Sequence, residues 1–175
     1  MKKIILFLQL IFSIGMSAQT TVESVQVADM DEGAPICGKS IDLHKRILQA
    51  YNCDSTLIVF ACDTTKKGKN TDTGYLYSLD ANTLEVQWQK SLKLSLSKLY
   101  GVCSKGVLLS STLKSTGKSL LTLSDTKTGR SLWTQYLYPV YFNDSLDIVV
   151  GLENVGGSKT YAYRLSTGGL LWDAE

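Results

Sequence analysis

A hairpin that ends in tryptophan occurs three times in this chain of 175 residues and constrains its fold more than any other feature. The copies end at Trp88, Trp133 and Trp172, which are 45 and 39 residues apart, and a threonine stands five positions before each tryptophan. In each copy, two runs that alternate apolar and polar residues flank a turn-forming stretch, the pattern of paired antiparallel strands. Repetition at this period predicts a stack of similar β-units.

Each repeat contains four strand-like runs, and short turns join the first two runs of every unit. The predicted runs are residues 46–51, 56–62, 74–79 and 84–92, then 98–103, 106–112, 118–124 and 130–137, then 139–142, 146–152, 159–165 and 169–172. An immunoglobulin-like sandwich also uses about seven short strands, but it does not explain a hairpin that recurs three times. We therefore predict an all-β fold of three four-stranded antiparallel β-propeller blades, an incomplete ring because closed propellers use roughly four to eight blades.

At the tryptophan hairpins the sequence resembles the quinoprotein-type, or PQQ-like, β-propeller repeat, whose hairpin has the general form x-L-D-x-x-T-G-x-x-x-W. The matching residues are Asp80, Thr83, Trp88, Asp125, Thr128, Gly129, Trp133, Thr167, Gly168 and Trp172. Leu84 replaces the family glycine in the first unit, and Ser124 replaces the leucine in the second. The third unit lacks the aspartate, so we expect a tighter and different turn there.

The resemblance implies structural roles for these residues. In the family the tryptophan docks against the neighbouring blade, and burial of one such ring removes on the order of 200 Å² from water. Asp80 and Asp125 are expected to accept hydrogen bonds from the backbone of their own turns. The alternative that the tryptophans form a platform for sugar stacking remains open.

The resemblance also raises the question of whether this chain is an enzyme. Dehydrogenases of the family hold pyrroloquinoline quinone and calcium at the ring centre, beside an adjacent pair of cysteines. This chain has no adjacent cysteines, and His44 is its only histidine, which leaves no Ser-His-Asp triad and no multi-histidine metal site. We therefore predict no catalytic residue, no cofactor and no metal site, and a chain that is not an enzyme.

The N-terminus predicts export. Lys2 and Lys3 precede a short apolar run over residues 4–14, and small residues follow at Gly15, Ser17 and Ala18, as in a secretory signal peptide. The run is shorter than the roughly 20 residues of a membrane-spanning helix. An ordinary buried strand is the alternative. The predicted organisation is a signal peptide at 1–18, a lead-in segment at 19–40 and a partial PQQ-like propeller at 41–175, in a secreted or periplasmic protein.

Four cysteines, an even number, permit up to two disulfides in an exported chain. They are Cys37, Cys53, Cys62 and Cys103, and their pairing is left open by the sequence. None of the spacings is C-x-x-C, so the sequence contains neither a zinc knuckle nor a thioredoxin-like redox motif. Buried free thiols are the alternative.

Charge bears on the choice of partner. The chain has 18 basic and 16 acidic residues, and without Lys2 and Lys3 the two signs balance. This balance predicts no nucleic-acid partner.

The favoured function is that of an exported, non-catalytic binding or scaffold protein, or an N-terminal fragment of one. It would present loops to a protein or glycan partner. Self-association or further blades would cover its open blade faces. The alternatives are the N-terminal part of an extracytoplasmic quinoprotein-like enzyme and the sensor domain of a membrane receptor.

Overall fold

The computed structural model describes residues 11–12, 20–28 and 36–175, with side chains at residue 22 and from residue 38 onward. The described strands are β1 (Ile11–Phe12), β2 (Thr20–Ala28), β3 (Ile36–Ile41), β4 (Arg46–Cys53), β5 (Thr56–Thr64), β6 (Asn70–Asp80), β7 (Val86–Lys93), β8 (Ser97–Cys103), β9 (Gly106–Thr112), β10 (Ser119–Ser124), β11 (Ser131–Tyr136), β12 (Tyr138–Asn143), β13 (Ile148–Leu152), β14 (Thr160–Arg164) and β15 (Leu170–Ala174).

Twelve of these strands form three four-stranded sheets in simple sequence order, β4-β5-β6-β7, β8-β9-β10-β11 and β12-β13-β14-β15. Every neighbouring pair is antiparallel. The predicted all-β class and the three four-stranded blades are confirmed, and each predicted run overlaps one observed strand. The described residues thus form three successive propeller-type blades, and the sheets are called blades 1, 2 and 3 below.

The core lies between blades, because successive residues of a strand point to opposite faces of its sheet. Ile58 and Phe60 of β5 belong to a buried cluster that includes Leu99 and Val107 of blade 2. A second cluster joins blades 2 and 3 and contains Leu108, Leu121, Leu123, Trp133, Leu137, Val149 and Leu165. Each blade therefore depends on its neighbours to bury its apolar faces, as in other repeat proteins.

The other face of blade 1 packs against the segment that precedes it. Strands β2 and β3 form an antiparallel hairpin that lies in the predicted lead-in segment except for Ile41, ahead of the first strand that the sequence predicts at residue 46. Val22 and Ile41 of this hairpin contact the cluster that contains Val59 and Ala61 of β5. The hairpin forms because blade 1 offers it an apolar face, a tertiary effect that local periodicity does not reveal.

The predicted signal peptide, residues 1–18, lies outside the described residues except for Ile11 and Phe12, which pair with Thr21 and Thr20 at the start of β2. The boundaries of the signal peptide and of the lead-in segment stay predictions. Within residues 11–12, 20–28 and 36–175, there is no helix long and apolar enough to cross a membrane.

Candidate functional site

The turns between the third and fourth strands of the blades are built around a side-chain acceptor. In blade 1 the Asp80 carboxylate accepts hydrogen bonds from the backbone N–H groups of Asn82 and Thr83, both at 2.8 Å. In blade 2 the Asp125 carboxylate accepts from the N–H groups of Lys127 at 3.0 Å and Thr128 at 2.7 Å. The Thr128 hydroxyl also donates to Asp125 at 2.8 Å, and these hydrogen bonds hold the pKa of Asp125 below its usual value.

The turn of blade 3 differs from the prediction in its length. The N–H of Gly168 donates to the carbonyl of Arg164, just as that of Gly129 donates to Asp125, so the two turns close over the same number of residues. Arg164 occupies the position of the missing aspartate. Asp147 supplies the carboxylate from the turn before β13, and accepts from the N–H and hydroxyl of Ser166, each at 2.7 Å. A tighter turn is therefore wrong for blade 3, because a carboxylate distant in sequence takes over the acceptor role.

The tryptophans of blades 1 and 2 each dock on the equivalent turn, between the third and fourth strands, of the next blade. The Trp88 indole N–H donates to the carbonyl of Thr126 at 2.8 Å, and that of Trp133 donates to the carbonyl of Leu165 at 2.8 Å. The rings lie over Gly129 and Gly168, where a Cβ atom would come within 2.8 and 2.7 Å of ring carbons. Both glycines have positive φ, 68° and 69°, so the turn conformation favours glycine and the ring contact leaves no room for a side chain.

The corresponding surface on blade 3 is exposed. Trp172 is 46% exposed, against 9% for Trp133 in the equivalent position of blade 2. Leu170 and Leu171 beside it are 55% and 42% exposed, and the whole of β15 is solvent-accessible at the outer edge of its sheet. We call Leu170, Leu171 and Trp172 the blade 3 edge patch. Contiguous exposed apolar groups of this kind mark interaction surfaces.

The turn of blade 1 that corresponds to these docking turns is covered in a different way. Leu84 stands where blades 2 and 3 have glycine, and it keeps the left-handed conformation of the turn at φ 62°. Its side chain packs with Ile41 and Leu43, in the cluster covered by the β2–β3 hairpin. Lys39 of β3 donates to the carbonyl of Asn82 at 2.8 Å. The hairpin therefore occupies the place that a preceding tryptophan would take.

A second candidate site lies where the first turns of the three blades meet. It is an open pocket of about 290 Å³ lined by Tyr51, Asn52, Cys53, Asp54, Val102, Cys103, Ser104 and Asp144. The Asp144 carboxylate accepts from the N–H of Ser104 at 2.7 Å and from its hydroxyl at 2.8 Å, which links blades 2 and 3. We call this the first-turn pocket. Its residues lie at the end of the first strand of a blade or in the turn that follows it, a signal that alignment of the units could have revealed.

The cysteines divide between this pocket and the core. Cys53, Cys62 and Cys103 are free thiols, and the side chain of Cys37 lies outside those that the structure describes. Cys62 is fully buried in blade 1, whereas Cys53 and Cys103 line the first-turn pocket. Burial is the main cause that raises the pKa of both pocket thiols, and the charge of Asp144 raises it further.

A third concave surface lies between blades 2 and 3, about 220 Å³ in volume, and tyrosines line much of it. Tyr161 and Tyr163 stack with ring centroids 6.1 Å apart. The Lys118 ammonium lies 5.6 Å from the ring centre of Tyr136, and that of Lys159 lies 5.4 Å from that of Tyr161. These cations occupy ring faces that a sugar would need for stacking.

The positions of the candidate metal ligands were the remaining question for the part of the chain that the structure describes. No group of three or more His, Cys, Asp or Glu residues lies together there. His44, the only histidine of the sequence, contacts the carboxylate of Asp42, with its Nδ1 at 2.8 Å from Oδ2. Asp144 and Asp147 both serve as acceptors for neighbouring turns, as described above.

The chain has similarity to known proteins at the level of solved structures. No protein-family model matches the chain, and no curated protein matches it. Among solved structures, it is similar to a europium-containing methanol dehydrogenase, with 14% identity and a TM-score of 0.47 over 73% of this chain and 31% of that one. It is also similar to the β-propeller domain of the Trilobed protease from Pyrococcus furiosus, which has an open velcro topology, with 6% identity and a TM-score of 0.47 over 76% of this chain and 43% of that one. The chain thus spans less than half of either.

The comparison corrects one prediction. The sequence analysis predicts that the chain is not an enzyme, and this prediction is contradicted by the likeness to a methanol dehydrogenase. The absence of adjacent cysteines was its main ground, and that ground concerns a single feature of one cofactor site rather than the fold. The prediction is withdrawn, and the dehydrogenase activity remains a property of the similar protein.

Proposed function

We propose that this chain is an extracytoplasmic protein-binding β-propeller segment, and that its blade 3 edge patch binds a further blade of the same repeat type. The observation that carries the proposal is the exposure of Trp172 at a position whose two counterparts, Trp88 and Trp133, each dock on the next blade. The location outside the cytoplasm rests on the leader-like residues 1–18 and is part of the proposal.

The chemistry of the partner follows from the two interfaces within the chain. The indole N–H requires a backbone carbonyl in a turn, and the ring requires a glycine with positive φ beneath it. A peptide turn offers both groups, whereas a glycan offers no equivalent pair. The partner is therefore protein, and its docking turn carries glycine where blades 2 and 3 carry Gly129 and Gly168.

Head-to-tail self-association through this interface is disfavoured. Blade 1 carries Leu84 in place of the glycine, and the β2–β3 hairpin packs over the same turn. A Trp172 ring from a second copy would meet the Leu84 side chain rather than an open glycine. The partner blade therefore differs from blade 1 of this chain. Tryptophans that fill such pockets are frequent hot spots of protein interfaces.

The test supplies a blade and measures whether Trp172 docks on it. A second copy of residues 138–175 is appended after Glu175, which places a new Gly168-type turn next in the repeat. We expect the thermal midpoint to rise and the acrylamide quenching of Trp172 to fall. The signal of Trp172 is isolated by subtracting the emission of a Trp172→Phe version of each chain.

The control chain differs at a single position. In the appended blade, the glycine equivalent to Gly168 is replaced by leucine, which reproduces the situation of Leu84. This chain should keep Trp172 accessible to the quencher. Equal protection of Trp172 in both chains, or protection in neither, would contradict the proposed docking chemistry.

A further inference from the structure

Two cysteines occupy the same position in consecutive blades and meet at the first-turn pocket. Cys53 is the last residue of β4 and Cys103 is the last residue of β8, 50 positions later. The Cys53 thiol donates a hydrogen bond to the backbone carbonyl of Cys103, with Sγ and O 3.3 Å apart. The strands themselves approach, since Cα atoms of β4 and β8 lie within 8 Å of each other.

The two thiols differ in access. Cys103 is 5% exposed and its thiol donates to the carbonyl of Gly106 at 3.3 Å. Cys53 is only partly buried and lines the open pocket, so a reagent in solution reaches Cys53 first. Cys62 lies 0% exposed within blade 1 and offers a matched comparison.

We propose that Cys53 and Cys103 form a redox-controlled disulfide that ties the first strand of blade 1 to the first strand of blade 2. The oxidant is a protein or small molecule that itself carries a disulfide. The inference does not depend on the partner blade proposed above, because both cysteines lie far along the chain from Trp172.

The exchange balances in two steps. The Cys53 thiolate attacks one sulfur of the oxidant's disulfide, forms a mixed disulfide and releases the other sulfur, which takes up the proton from Cys53. The Cys103 thiolate then attacks the Cys53 sulfur and releases the second sulfur of the oxidant, which takes up the proton from Cys103. The cysteine pair loses two electrons, and the oxidant's disulfide is reduced to two thiols.

Formation of the bond requires a suitable separation of the two strand ends and a rotation of the thiols. Cα atoms joined by a disulfide are usually about 4.4–6.8 Å apart, so the ends of β4 and β8 must lie at that separation in the oxidised chain. Each sulfur exchanges a weak hydrogen bond to a carbonyl for the covalent bond. The pocket beside the pair provides space for the rotation of Cys53.

The bond would add to the links that join neighbouring blades at their first turns. The Ser104–Asp144 hydrogen bonds already join the first turns of blades 2 and 3. The disulfide would join blades 1 and 2 beside those links and close a loop that contains β5, β6, β7 and β8. Closing such a loop lowers the entropy of the unfolded chain and so stabilises the folded one.

The experiment equilibrates the full chain with mixtures of reduced and oxidised glutathione and maps the disulfides by proteolysis and mass spectrometry. We expect a peptide pair joining Cys53 to Cys103, lighter by two hydrogen atoms than the separate peptides. The thermal midpoint of the oxidised chain should exceed that of the reduced chain by at least about 5 °C. Two free thiols at these positions under oxidising conditions, or a bond from either cysteine to Cys37, would overturn the proposal.

Variants locate the effect. Cys53→Ser and Cys103→Ser should each abolish the redox-dependent shift of the thermal midpoint, and Cys62→Ser should leave it intact. A shift that persists in Cys53→Ser also contradicts the proposal. The peptide map of the unaltered chain decides the question even where a serine variant does not fold.

Discussion

The ring of Trp133 lies directly over Gly168 of the next blade, so close that a Cβ atom on the glycine would come within 2.7 Å of the ring. The indole N–H reaches the carbonyl of Leu165, and the side-chain amide of Gln135 donates to the carbonyl of Gly168, both at 2.8 Å. One turn thus receives a ring and two hydrogen bonds from the blade before it. The same ring-over-glycine contact joins blades 1 and 2, so it is the repeating unit of cohesion in this chain.

The Trp133→Ala substitution should destabilise the fold by about 3–5 kcal/mol, since it removes a buried ring and leaves a cavity between blades. The thermal midpoint should fall by roughly 10 °C. Trp172→Ala is the matched control, because Trp172 is 46% exposed, and it should change the midpoint little. Equal effects of the two substitutions in thermal scans would show that Trp133 is not a packing anchor.

Gly168→Ala should destabilise the fold more than Gly156→Ala. Both glycines have positive φ, 69° and 76°, so each alanine carries a conformational cost of about 1–2 kcal/mol. At Gly168 the new Cβ atom meets the Trp133 ring. At Gly156 no atom lies within 4 Å of the new Cβ atom. Urea unfolding of both variants measures the difference, and we expect about 1–3 kcal/mol from the added overlap. Similar values for the two variants would remove the argument for the ring contact.

The Asp125 carboxylate predicts a pH dependence of stability. Its pKa is lowered in the folded state, first by the hydrogen bond from the Thr128 hydroxyl and then by turn N–H groups. A lowered folded pKa means that the unfolded chain binds the proton more readily, so the stabilisation is present above the unfolded pKa of about 3.9 and is lost as the pH falls through the folded pKa. Asp125→Asn keeps one acceptor oxygen but removes the charge.

The free energy of unfolding of the unaltered chain should therefore exceed that of Asp125→Asn at neutral pH. The difference should shrink steadily below about pH 4. Urea titrations of both chains over this range measure it. A difference that is constant with pH, or that grows in acid, contradicts the assigned role of the carboxylate.

The Asp144→Ala substitution should loosen the connection between the first turns of blades 2 and 3. It removes two acceptors for Ser104, whose N–H and hydroxyl donate at 2.7 and 2.8 Å. We expect a loss of about 1–3 kcal/mol and faster amide exchange at Ser104. Lys105→Ala is the control. The Lys105 ammonium contacts the hydroxyl of Ser104 at 3.1 Å, so its removal leaves the hydrogen bond from the Ser104 N–H to Asp144 in place. Unchanged exchange at Ser104 in Asp144→Ala would contradict the coupling of the two blades.

The sequence anticipated the blades well, because strands and turns of a blade are mostly local. The alternation around residues 56–62 and 106–112 predicted β5 and β9, and the polar stretch after Cys103 marked the turn that follows. It failed for the β2–β3 hairpin and for the turn of blade 3. In both cases the stabilising group is remote in sequence, an apolar face of blade 1 for the hairpin and the carboxylate of Asp147 for the turn.

The sequence by itself determined the number of blades, the order of their strands and the recurrence of the tryptophan turn, because alternation of apolar residues and turn chemistry operate over a few neighbouring positions. Only the tertiary structure decided which surfaces meet. The contacts between Cys53 and Cys103 and between Ser104 and Asp144 join residues 50 and 40 positions apart. Such pairs depend on how one blade stacks on the next, and the exposure of Trp172 depends on the same stacking at the edge of blade 3.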